Sequence, residues 1–232
     1  MKLSSSNFRV ANLVLSSLLF VGLSACSSAP TGHSRLSALE TPTSEQALKA
    51  LMEDNARYAA DKPINARSHS ARRAEVAASQ RPLAIIVACA DSRVGPELVF
   101  DQDLGDIFVV RSAGNVVDDV QLGSIEFAVE HLNAPLIVVV GHERCGAVMA
   151  AVKGGEAPGH LGAFLRPIQP AVQSTEGQPG DRVDNAMRAN AMNVARQISG
   201  TGPVIAQYVQ EGKVKVVAAR YDLDTGRIEI LK

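Results

Sequence analysis

The stretch LAIIVACADSR, residues 83–93, decides how the rest of the chain is read. A run of apolar, partly β-branched residues ends at Cys89 and gives way at once to Asp91, Ser92 and Arg93. An apolar run without alternation fits a parallel strand covered on both faces. Side chains just past the C-terminal end of such a strand stand at the mouth of an open α/β sheet, where ligands bind. A second run, PLIVVVGHERC at residues 135–145, repeats the design, with His142 and Cys145 at its end. If the two strands are neighbours, two thiols and one imidazole converge. Three such ligands leave the fourth position of a tetrahedral Zn²⁺ open, the pattern of a catalytic zinc site.

Two other readings of the same residues stay open. An export signal would place the chain where thiols oxidise, so Cys89 and Cys145 are candidates for a disulfide. Cys145, followed by Gly146 and Ala147, reads as the start of a helix whose dipole favours a thiolate. It is thus also a candidate nucleophile with His142 as its base. The disulfide reading leaves Asp91, Ser92 and Arg93 without work, whereas a metal-activated water needs a charged, positioned neighbour.

The remaining features bound the class. With 232 residues, 46% of them hydrophobic, the chain suffices for one domain with a substantial core. A formal net charge of −1, no Trp and 4% aromatics give nucleic acid neither a basic surface nor stacking platforms. Thr43 and Gln46 form a capping box ahead of a helix that carries Leu48, Leu51, Met52 and Asn55 on one face. A second, Ala- and Arg-rich helix is expected at about residues 68–80, stopping before Pro82. A third apolar run at residues 108–111 leads into RSAGN, and Leu122, Ile125, Val129 and Leu132 are spaced for a helix. Residues 154–161 read as loop and residues 184–198 as an amphipathic helix. The end of the chain, strand at 213–222, DLDTG turn and strand at 227–231, reads as a hairpin. The expected fold is α/β: a mostly parallel central sheet flanked by helices, with an antiparallel edge strand from the C-terminal hairpin. Neither strand is followed by G-x-G-x-x-G and no GxSxG elbow is present, which argues against dinucleotide binding and serine hydrolysis. His131, in the last turn of its helix, and His160, in a Gly-rich loop, read as structural and solvated.

CADSR followed by GHERCG resembles the paired signatures C-x-D-S-R and H-x-x-C of β-class carbonic anhydrases. The likeness continues through PELVFDQDLGDIFVVRSAGN, residues 96–115, and SIEFAVEHL, residues 124–132, and loosens elsewhere from about residue 48 onward. It implies a Zn²⁺ cofactor on Cys89, His142 and Cys145, and reversible hydration of CO₂ to bicarbonate and a proton. It also implies an Asp91–Arg93 dyad that keeps Asp91 off the metal and lets it orient the reacting hydroxyl; if the pair opens, Asp91 can close the site. Gly114 and Asn115 would shape the substrate pocket. A hydrolase of COS or CS₂ on the same scaffold, or a zinc-binding module without turnover, are the alternatives. Two departures are visible. Asp54 stands where the family's L-x-x-G-N-x-R-[FY] segment has Gly, and Ile86 replaces the Trp of a side pocket for inhibitory bicarbonate, although Arg111 and Tyr221 match its other two positions. The family packs the helix around residues 48–58 on a partner subunit, so a homodimer or higher even homo-oligomer is expected.

The N-terminus reads as an export signal. Lys2 and Arg9 precede a short apolar segment, and residues 23–26, LSAC, resemble a bacterial lipobox in which Cys26 receives the lipid. Residues 1–25 are then the signal peptide, 26–42 a flexible tether and 43–232 the catalytic domain. The expected address is periplasmic, with membrane contact through a lipid anchor only, at the outer rather than the inner membrane.

Overall fold

Strands β1 (Ala84–Cys89) and β3 (Leu136–His142) are buried at every position and lie side by side in parallel, Ile85 opposite Ile137 and Ala88 opposite Val140. The structure is a computed structural model and describes residues 41–65 and 70–232. The signal, the lipobox Cys26 and the tether up to residue 40 therefore lie outside the described residues. Five strands form one sheet in the order β2-β1-β3-β4-β5. Strands β2 (Ile107–Ser112) and β4 (Lys215–Tyr221) flank the central pair in parallel, and β5 (Ile228–Ile230) adds the antiparallel edge. The chain steps from β1 to β2 on one side and then crosses to β3 on the other. The gap between the C-terminal ends of β1 and β3 is thus the switch point of the sheet, where a ligand crevice opens.

Each face of the sheet has its own cover. Ile85, Val87, Ile137 and Val139 pack against Ile125 and Val129 of α4 (Asp119–Leu132), Ile198 of α7 (Arg182–Gly200) and Ile205 of α8 (Val204–Gln210). Ile86, Val138 and Val140 pack against Ala47 and Leu51 of α1 (Ser44–Ala59), with Phe100 just beyond the short helix α3 (Pro96–Val99). Both central strands are sandwiched, which is why their sequences run apolar without alternation. Burial of each such Leu or Ile contributes about 1.5–3 kcal/mol.

The expected capping box of α1 is present, Thr43 N–H donating to Gln46 and Gln46 N–H to Thr43. Helix α1 buries Ala47 and Leu51 on its own chain's sheet. Asn55 then ties it down, donating to the carbonyls of Val99 and Gly226 and accepting from Ile228 N–H. Asp54 is buried too, pairing with Arg57 at 2.6 Å and accepting from Gln102 at 2.6 Å. Among the described residues the second helix, α2 (Ser70–Val76), ends at Val76, before the expected residue 80. Helix α6 (Gly162–Ser174) went unread because Pro167 and Pro170 lie inside it. It forms because Ile168, Ala171 and Val172 are buried among α5 (Gly146–Lys153), α6 and α7. Among the described residues, no helix is long and apolar enough to cross a membrane.

Candidate metal centre

The β1–β3 register delivers the three ligand-type residues to one place. Cys89 closes β1, His142 closes β3, and Cys145 follows one tight turn later as the N-cap of α5. Their donor atoms all lie within 4.8 Å of one another, and the three side chains are buried. The two sulfurs are 3.9 Å apart. That is nearly twice a disulfide bond, and close to the ~3.8 Å separating two sulfurs on a tetrahedral ion with Zn–S of about 2.3 Å. His142 is fully buried, and its Nδ1–H donates to the carbonyl of Glu143 at 2.8 Å. That tautomer turns the Nε2 lone pair toward the thiols, and Nε2 has no hydrogen-bond partner. A buried acceptor with no donor is costly; a metal ion is the partner this geometry accommodates.

The electrostatics agree. The Cys89 thiol is held down, first by the hydrogen bond from Cys145 and then by the backbone N–H groups of Asp91 and Gly114. Cys145 is pushed up, first by Cys89 and then by burial. The backbone N–H groups of Ala147 and Val148, at the start of α5, oppose that rise. A divalent ion between the two sulfurs would let both ionise.

Beside the ligands sits the expected dyad. Arg93 grips Asp91 through Nε at 2.9 Å and Nη2 at 2.7 Å, and its backbone N–H adds a third bond at 2.9 Å. The Arg93 guanidinium is the main cause holding the Asp91 carboxyl well below the usual carboxylate range. Asp91 Oδ2 stands 3.9 Å from His142 Nε2. The carboxylate therefore borders the donor set, clamped to arginine.

Gly114 borders the donor set. Its N–H points at the Cys89 sulfur, 3.3 Å away, and Asn190 holds its carbonyl at 2.9 Å. The backbone there has φ +67°, and a Cβ would lie 2.7 Å from Ile168 and 3.1 Å from Ala147, so only glycine fits. Asn115 follows in the same left-handed region, buried, with its Nδ2 unpartnered. Arg111, matched only to the bicarbonate side pocket, donates to the carbonyls of Cys89 and Asp91 at 2.8 and 2.7 Å. Tyr221 Oη lies 3.2 Å from Tyr58 Oη. Both residues are thus engaged within the chain, and Ile86 is core. The roles of Arg111 and Asn190 had no signal in the sequence, because their partners lie 22 and 76 residues away. His131 is exposed and stacks on Phe127 at 5.0 Å, and His160 is exposed in the turn before α6.

Fold and site together define an α/β protein with a buried Cys–His–Cys group at the switch point of its sheet and a carboxylate–guanidinium pair beside it. The family described as carbonic anhydrase matches residues 84–228. Carbonic anhydrase 2 of Mycobacterium tuberculosis is 41% identical over 185 residues, covering 78% of this chain and 89% of that protein. Among solved structures, one of two tetrameric β-carbonic anhydrases of Sordaria macrospora superposes with a TM-score of 0.64 at 25% identity, covering 79% of this chain and 96% of that one. A β-carbonic anhydrase of Aspergillus fumigatus gives a TM-score of 0.62 at 28% identity, over 80% and 90% of the two chains. The chain belongs to the carbonic anhydrase family, in its β class.

Proposed function

We propose that this protein reversibly hydrates CO₂ to bicarbonate and a proton, using Zn²⁺ held by Cys89, His142 and Cys145. The observation that carries the reading is the buried, unpartnered Nε2 of His142 facing two sulfurs at tetrahedral spacing. Bound there, Zn²⁺ supplies a Lewis acid that acidifies a water molecule, although two thiolates temper its charge more than three neutral imidazoles do. Asp91 accepts the hydrogen bond of the attacking oxygen at Oδ2 and so aims its free lone pair at the carbon of CO₂. Arg93 keeps Asp91 ionised and turned away from the ligands, so the open position stays free. A carboxyl held so far below its usual range does not retain the released proton, which passes to solvent. Gly114 N–H stabilises the Cys89 sulfur.

The test is metal analysis joined to CO₂ hydration by purified protein. The expected result is one zinc per chain and turnover, with both lost in Cys145→Ser. Zinc without hydration, or hydrolysis of COS or CS₂ in its place, would replace this reading by one of the alternatives. Full zinc retention in Cys145→Ser would refute the ligand set.

We propose further that Cys26 carries a lipid that anchors residues 43–232 to the periplasmic side of the outer membrane, and that the protein is an even homo-oligomer. The first rests on LSAC after a basic-then-apolar segment, the second on the tetrameric Sordaria relatives. Palmitate labelling should vanish in Cys26→Ser, and light scattering should show a dimer or tetramer. Persistent labelling, or a monomer alone, contradicts the respective proposal.

A further inference from the structure

Between the two ligands His142 and Cys145 the backbone makes an uncommon move. Arg144 adopts φ +48°, a left-handed conformation in a residue that has a Cβ, disfavoured against the right-handed alternative because the Cβ crowds the following carbonyl oxygen. Something must hold it, and the C-terminal hairpin does. Arg144 donates through Nη1 and Nη2 to the two carboxylate oxygens of Asp224 at 2.9 and 2.7 Å. Asp224 lies in the β4–β5 turn, where Asp222 Oδ1 accepts the N–H groups of Asp224 and Thr225 and the Thr225 hydroxyl. The preceding residue is tied to the same turn, Glu143 accepting from Leu223 N–H at 3.0 Å and pairing with Arg220. The turned backbone has a use, because the Arg144 carbonyl accepts from Arg93 Nη2 at 3.2 Å, the same nitrogen that donates to Asp91 at 2.7 Å.

We infer that Arg144 and Asp224 are positioning residues. Their fork-to-fork pair holds the left-handed turn that presents the Arg144 carbonyl to Arg93, and through Arg93 it sets where Asp91 stands against the metal ligands. The inference rests on the role proposed above for the Asp91–Arg93 pair. Neither side chain touches the reacting atoms in this scheme; both act through a backbone carbonyl.

Glycine separates this from a direct role of the guanidinium, because it adopts the left-handed conformation without a clamp. Four variants are compared: Arg144→Ala, Asp224→Ala, Arg144→Gly, and Arg144→Gly combined with Asp224→Ala. Each is loaded with Co²⁺ as well as Zn²⁺, and read by the visible spectrum of the cobalt protein and by the pH profile of CO₂ hydration. The two alanine variants should lose roughly three- to ten-fold in kcat, the range set by the strain and by an exposed ion pair. Their cobalt spectrum should change as Asp91 gains access to the metal. Arg144→Gly should recover most of the loss and the wild-type spectrum, and adding Asp224→Ala to it should change nothing further. Arg144→Gly behaving like Arg144→Ala would overturn the inference and give the guanidinium itself the role; alanine variants indistinguishable from wild type would show the clamp to be idle. A wild type that binds metal but does not hydrate CO₂ would instead defeat the functional reading, and the cobalt spectra would still decide whether the clamp sets the site's geometry.

Discussion

Two Asp–Arg pairs in this molecule have nearly the same closest N–O distance and opposite surroundings. Arg72 Nη2 meets Asp106 Oδ1 at 2.6 Å with side chains 5% and 1% exposed, whereas Arg93 Nη2 meets Asp91 Oδ2 at 2.7 Å with side chains 51% and 18% exposed. The first pair is walled in. Arg72 also donates to the carbonyl of Leu104, and Asp106 accepts from Asp103 N–H, so the pair fastens α2 to the turn that feeds β2. The second pair stands open at the mouth of the sheet, beside three ligands. Similar bonds thus have different consequences: where water is excluded, losing one partner strands a buried charge, and where water enters, it leaves a charge the solvent can satisfy. The buried pair belongs to stability, and the open pair is the one the proposed chemistry uses.

The largest expected effect comes from breaking the buried pair. Arg72→Met leaves Asp106 buried with a main partner gone and should cost about 3–5 kcal/mol of stability, seen as a lowered midpoint in urea unfolding. The folded fraction should keep its metal and its pH profile. A midpoint within experimental error of wild type would erase the distinction drawn here.

The open pair should show the reverse pattern. Asp91→Asn keeps the shape and removes the charge-assisted contact in the transition state, which should lower kcat by roughly 10²–10³-fold while changing stability by less than ~1 kcal/mol. Zinc should be retained. The acid side sharpens the test. The Asp91 carboxyl is depressed in the folded chain, so its stabilising contribution is complete above the unfolded carboxylate pKa of about 3.9 and is lost only as pH falls below that. Wild type and Asp91→Asn should therefore differ in stability by the same small amount from pH 7 to pH 5 and converge only in stronger acid. Wild-type turnover by zinc-replete Asp91→Asn would remove the dyad from the mechanism.

The sequence made much of this visible, and the reasons are local. Unbroken apolar runs at residues 83–89 and 135–140 marked two sandwiched strands, because a strand covered on both faces cannot alternate. Chemistry-bearing residues directly after each run marked the mouth of the sheet, and two residues between His142 and Cys145, or one between Asp91 and Arg93, suffice to bring side chains together in a turn. What stayed hidden was set by distant partners. Helix α6 was obscured by Pro167 and Pro170, whose local preference lost to the burial of Ile168 and Val172. Nothing in RSAGN says that the Gly114 N–H will meet a sulfur from another strand. Helix α1 was legible as amphipathic, but that Ala47 and Leu51 are buried on this chain's own sheet was not, because a pattern of apolar residues specifies that a face is buried and not against what.

By itself, then, the sequence determined the two strands, the identity of the ligand-type residues, the neighbouring carboxylate and guanidinium, and the family. Those follow from periodicity and short spacing, which a linear chain records directly. Only the tertiary structure decided that the two sulfurs lie 3.9 Å apart with the His142 Nε2 lone pair between the protein's donors, that Arg111 straps the carbonyls of Cys89 and Asp91, and that Asp224, 80 residues beyond Arg144, clamps the turn between two ligands. Those contacts depend on strand order, register and hairpin placement, which are set by the packing of the whole sheet and are written in no single segment.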